Sequence, residues 1–266
     1  MKTATRRQKA EDRGQRTEDR GRRSGAANNA SAFPDARFAR GAAEAFSLIE
    51  LLVVIGVIVL LASLSFPVMR SVTRAQTLKR AQAELTQIET AIETYKTKLG
   101  FYPPDNGGYY STNQLYYELM GTTLTTIGGQ PAYQTLDGSA SILSTPAAFH
   151  AAFGPTTQVT GFMNTSKPGA GDDTPNAVKF LTGLKAAQFL AATSPVTSTV
   201  LGVSMSGPIT FTGPNNGEIV PYCYNSSGPQ HNPKSFDLWL DITVGGKTNR
   251  ISNWSARPII ISTIAY

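Results

Sequence analysis

Glu50 is a single carboxylate at the fifth position of a run, Phe46 to Phe66, that carries no other charge. Inside a membrane core such a group costs about 2.5 kcal/mol or more and marks a functional contact, so it needs a partner. Other residues with chemical potential are sparse. His150 and His231 are the only histidines, Cys223 is the only thiol, and no spacing among them resembles a metal site. Asp172-Asp173 lies in a Gly/Pro-rich stretch and reads as the start of a helix rather than as an acid/base pair. Gly128-Gly129 lacks the context of a phosphate loop. The sequence offers no catalytic residues, and an enzyme is not expected.

The elements around Glu50 follow from periodicity. Phe46 to Phe66 is 21 residues, roughly 31 Å of helix against a bilayer core of about 30 Å, so 46–66 reads as a membrane span. Pro67 ends the run, removes one backbone donor and is expected to bend the helix. Beyond it, Leu78, Ala81, Leu85, Ile88, Ile92, Tyr95 and Leu99 alternate spacings of three and four, one apolar stripe. Arg74, Lys79, Glu84, Glu89, Glu93 and Lys96 lie off it. Gly100 suits the helix end and Pro103-Pro104 prevents continuation. The spacing predicts one helix from Phe46 to Leu99, its second half, 67–99, amphipathic. A Pro67 that simply separates an anchor from an independent helix is the alternative.

Residues 1–45 hold eleven Lys/Arg against six Asp/Glu and contain no Leu, Ile, Val or Tyr. Such a stretch cannot bury enough surface to fold, and it reads as a leader that is removed. It also carries +5 of the chain's net charge of +6. The remainder is nearly neutral, so charge gives no support to nucleic-acid binding by the folded part. One cysteine permits no internal disulfide.

Residues 100–266 read as one globular domain. Ser111 with Gln114 predicts a capping box before Leu115 to Met120; Pro146 starts a second short helix ending at Gly154, and Thr174-Pro175 a third. The Thr/Ser/Gly-rich stretches between them read as loops. Phe236 to Val244 alternates apolar residues with Asp237, Trp239, Asp241 and Thr243, a strand with the aspartates on its solvated face. Gly245-Gly246 then predicts a hairpin to Lys247–Trp254, with Ile209–Thr212, Ile219–Tyr224 and Ile259–Ile264 as further strands. A long helix followed by a C-terminal antiparallel sheet is α+β, the helix stripe covering one face of the sheet.

Phe46-Ser47-Leu48-Ile49-Glu50, followed by Leu51 to Gly56 and by Pro67 at the twenty-second position from Phe46, resembles the N-terminal methylation motif of type IV pilins and type II secretion pseudopilins. Asn232 to Trp239 and Phe101-Tyr102-Pro103 look like the corresponding stretches of the major pseudopilins, and the lack of a disulfide agrees. The resemblance implies a pilin-like fold and a prepilin peptidase that cuts between Ala45 and Phe46 and methylates the new amine of Phe46. Ala45 departs from the glycine usual before that cut, which implies slower processing. The resemblance further implies that Glu50 neutralises the Phe46 amine of a neighbouring subunit during assembly.

The implied product is a structural filament subunit, first of a type II secretion pseudopilus, with a type IV pilus subunit or a non-polymerising membrane-tethered binding domain as alternatives. Its implied partners are identical and other pilin-like subunits, the peptidase and an inner-membrane assembly platform. The implied location is a single pass of the bacterial inner membrane with a periplasmic domain. The family often holds calcium near an Asp-bearing strand, for which Asp237 and Asp241 are the candidates here. The turn after them, Gly245-Gly246-Lys247-Thr248-Asn249-Arg250, carries Lys and Arg instead of acids, which disfavours calcium. No other cofactor is expected.

Overall fold

The computed structural model describes residues 46–167 and 176–262, and of 64–68 and 70 the backbone alone. Ala45, the expected leader and the expected helix start at Thr174-Pro175 lie outside the described residues, as does the Pro67 side chain.

A single helix, α1 (Leu48–Leu99), carries both the apolar run and the amphipathic stripe. Its backbone assignment continues through position 67. It begins two residues after Phe46 because Ser47 caps it. It ends where Gly100 takes a φ of +90° and donates its N–H to the Lys96 carbonyl at 2.7 Å. The stripe is buried as its spacing demands: Ala81, Leu85, Ile88, Ile92 and Tyr95 are all fully covered. They share one core with Leu119, Tyr222, Phe236, Leu238, Leu240, Ile242 and Ile251. Each large side chain removed from water there contributes about 1.5–3 kcal/mol.

After α1 come α2 (Leu115–Met120), β1 (Thr122–Ile127), β2 (Gln130–Thr135), β3 (Ser141–Leu143), α3 (Pro146–Phe153), β4 (Thr165–Ser166), β5 (Phe189–Ala192), β6 (Ser198–Val203), β7 (Phe211–Thr212), β8 (Glu218–Pro221), β9 (Cys223–Asn225), β10 (Asp237–Val244), β11 (Lys247–Ser252) and β12 (Ser255–Ile261). They form three four-stranded sheets ordered β3-β2-β1-β4, β5-β6-β8-β7 and β12-β11-β10-β9. Every pairing is antiparallel except β1 with β4. The architecture is α+β, an N-terminal helix packed on antiparallel sheets.

The predicted hairpin is present. Val244 pairs with Lys247 across Gly245 and Gly246, at φ of +61° and +76°, the left-handed pair that a two-residue turn of matching twist requires. α3 also follows the sequence: Thr145 Oγ1 accepts from the Ala148 N–H and Pro146 fills the first turn.

Three expectations are corrected. The Ser111–Gln114 capping box does not form: Gln114 makes no capping bond, and Asn113 Oδ1 accepts from the Leu115 N–H at 3.2 Å instead. The stretches read as loops between the short helices contain β1 to β4. Asp237 and Asp241 are not on a solvated face; both are 2% exposed. The strand around them has six consecutive buried residues, because loop and neighbouring-strand groups cover the second face.

Candidate functional site

Ser47 and Glu50 make a reciprocal capping box at the start of α1. The Ser47 N–H donates to Glu50 Oε2 at 2.9 Å, and the Glu50 N–H donates to Ser47 Oγ at 3.2 Å. Two of the four orphan donors of the first turn are thereby satisfied, and a carboxylate sits where the helix dipole favours it. The signal was present in the sequence as Ser-x-x-Glu. Glu50 thus has a local role in addition to any role between chains.

The residues that follow are exposed. Phe46 and Leu48 are 81% and 82% accessible, and every large apolar side chain from Ile49 to Leu61 is about half exposed or more. Among the described residues no helix is long and apolar enough to cross a membrane. Within the apolar run, side chains are described as far as Ser63; of 64–66, which complete the 21 residues, only the backbone is described.

The second cluster of candidates lies on β10. The Asp237 carboxylate is saturated: its Oδ2 accepts from the Gln230 and His231 N–H groups at 2.7 and 2.9 Å, and its Oδ1 from the Asn232 N–H at 2.9 Å. Asp241 takes the Arg250 fork at both oxygens, Nε to Oδ1 at 2.9 Å and Nη2 to Oδ2 at 2.7 Å. Calcium needs six to eight oxygens with spare negative charge, so this pair does not fit it. Among the described residues no three or more His, Cys, Asp or Glu side chains are grouped to hold a metal. Cys223 is buried in β9, and burial pushes its thiol well above the ordinary range, which makes it a core residue rather than a nucleophile.

Two polar anchors were not legible in the sequence. Glu118, fully buried, accepts from the Tyr95 hydroxyl (2.9 Å) and from the Met163 and Asn164 N–H groups (2.8 and 3.0 Å), joining α1, α2 and the segment before β4. Burial raises its carboxyl above the usual range, against the downward pull of those three donors. Asp105 accepts from the N–H groups of Ser226 and Ser227 and from the Ser227 hydroxyl, all between 2.7 and 2.8 Å. The segment after α1 is further tied to the same region by Tyr224 Oη, which donates to the Pro103 carbonyl at 2.8 Å.

The two short stretches singled out beyond α1 meet in space. The rings of Tyr102 and Phe236 are 5.1 Å apart, and the hydroxyls of Tyr102 and Ser235 share a 3.1 Å hydrogen bond. Comparison with profiles of protein families, with curated proteins and with solved structures finds no match.

Proposed function

We propose that the chain is a structural subunit of a pseudopilus or pilus, made as a membrane-inserted precursor and assembled through its N-terminal helix. Type II protein secretion is the first reading for the machine. One observation carries the proposal: a helix whose opening turns expose only apolar side chains bears one carboxylate, Glu50, fixed at its N-terminal end by Ser47.

In this reading 46–66 is the membrane span, and the peptidase frees the α-amino group of Phe46 by cutting after Ala45. The capping box keeps Glu50 bound within its own chain while the subunit waits in the membrane, and one carboxylate oxygen stays available. The amine of an incoming neighbour then pairs with it. Opposite charges in a low-dielectric setting attract strongly, and pairing offsets much of the cost of burying either alone. The pair sets axial stagger, and the exposed apolar residues supply packing area. Support for the secretion reading comes from the contact between the Phe101-Tyr102-Pro103 and Asn232–Trp239 stretches and from the single buried cysteine. A type IV pilus subunit is the second reading. The capping box also suits a tethered binding domain that never polymerises, since it gives Glu50 a purpose within one chain.

Mass spectrometry of the mature N-terminus tests the processing step. The expected product starts at N-methylated Phe46; an intact Met1, or a cut elsewhere, contradicts it.

A further inference from the structure

Both tryptophans of the chain line one small pocket beside the C-terminal sheet. Trp239 comes from β10 and Trp254 from the turn between β11 and β12; Tyr110, from the segment after α1, completes the aromatic wall. Centroid distances are 5.3 Å for Tyr110–Trp239 and 5.8 Å for Trp239–Trp254, with interplanar angles of 58° and 60°. The His231 imidazole stacks on Trp254 at 4.0 Å and 8° and covers one indole face, and the Arg250 guanidinium lies 5.7 Å over the Trp239 ring. Gln230 reaches the same pocket from the loop that the Asp237 carboxylate pins by its backbone N–H groups. The loop is therefore held in place rather than left to drift.

Charge narrows the ligand. Asp237 is saturated by backbone donors and Asp241 is engaged by the Arg250 fork, so no ion is needed to balance the pocket. Polar capacity does remain. Trp239 is 7% exposed and its Nε1 is buried with no hydrogen-bond partner, an uncompensated donor of the kind that native structures rarely keep. Aromatic rings beside the Asn225 and Gln230 amides, with the lining charges of Asp237 and Arg250 already engaged, match a ligand with apolar faces and an equatorial rim of hydroxyls. The cavity, about 140 Å³, is below the roughly 300 Å³ at which drug-sized sites begin, so it takes one ring and not a chain.

We propose that this pocket binds a single neutral pyranose, the terminal or branch residue of a glycan. The pocket lies entirely within the globular part, so the proposal does not depend on filament formation.

Both tryptophans report on the site, so intrinsic fluorescence of the full chain, in a detergent without a sugar headgroup, is the assay. Glucose, galactose, mannose and N-acetylglucosamine are titrated, with open-chain sorbitol as control. The expected result is a saturable emission change at millimolar concentration for at least one sugar and none for sorbitol. Gln230→Ala, at an exposed side chain with little effect on folding, should weaken that sugar about tenfold, 1.4 kcal/mol. Trp254→Phe, which keeps an aromatic face, should retain binding by calorimetry, and Trp254→Ala should lose it. No saturable change with any of the four sugars overturns the proposal. So does an equal response to sorbitol, or a sugar affinity unmoved by both Gln230→Ala and Trp254→Ala.

Discussion

Individual carboxylates divide sharply in what surrounds them, and their titration should show it. Burial pushes Asp105 upward, but the hydrogen bonds from Ser227, Gly107 and Ser226 together outweigh that and hold it below the ordinary carboxylate range. A carboxyl lowered on folding contributes stability above its unfolded pKa, here 3.8, and loses it as pH falls through the lowered value. Denaturation midpoints followed from pH about 5 downward should therefore fall more steeply for the wild type than for Asp105→Asn below about pH 4. Equal slopes would show that Asp105 does not fasten the Ser226–Ser227 segment. Asp237 and Asp241 teach a different lesson. In a strand that alternates apolar and charged positions, the charged ones read as solvent-facing. Burial of both became affordable only through partners distant in sequence: the 230–232 backbone for one and Arg250 for the other. A strand's own pattern does not contain those partners.

Elements were legible where a period of 3.6 or 2 was long enough to stand out. The stripe from Ala81 to Tyr95 is such a case, and so is the β10–β11 hairpin with its two glycines. Replacing Ile92, fully buried in α1, by Ala should cost about 2–5 kcal/mol in chemical denaturation. Thr94→Ala, on the exposed face, should stay within about 0.5 kcal/mol, because its hydroxyl only bonds back to the Thr90 carbonyl. Comparable losses at both positions would mean that the stripe is not what holds α1 to the sheets. By contrast β1, Thr-Thr-Leu-Thr-Thr-Ile, shows no alternation and is only partly covered, so it passed for a loop. β6 is buried along its whole length, a pattern that short apolar runs share with helices. The Ser111–Gln114 motif failed because Asn113, two residues nearer the helix than Ser111, supplied the acceptor for the Leu115 N–H.

Among the described residues, the amphipathic stripe of α1 is buried in the core of the globular part, whereas the large apolar side chains from Phe46 to Leu61 are exposed. That asymmetry was visible in the sequence, whereas the capping box was missed although both of its residues were in plain view. The box also supplies a clean separation of roles. Gln at the third helical position caps as Glu does, so Glu50→Gln preserves the local hydrogen bonds while removing the charge. Filaments formed by wild type, Ser47→Ala and Glu50→Gln, each shown to be inserted in the membrane at equal level, are to be counted by electron microscopy. If an ion pair between chains drives assembly, Glu50→Gln gives no filaments, and Ser47→Ala, which keeps the charge, still gives them. Filaments at wild-type abundance from Glu50→Gln would contradict the pairing and leave Glu50 as a helix cap alone.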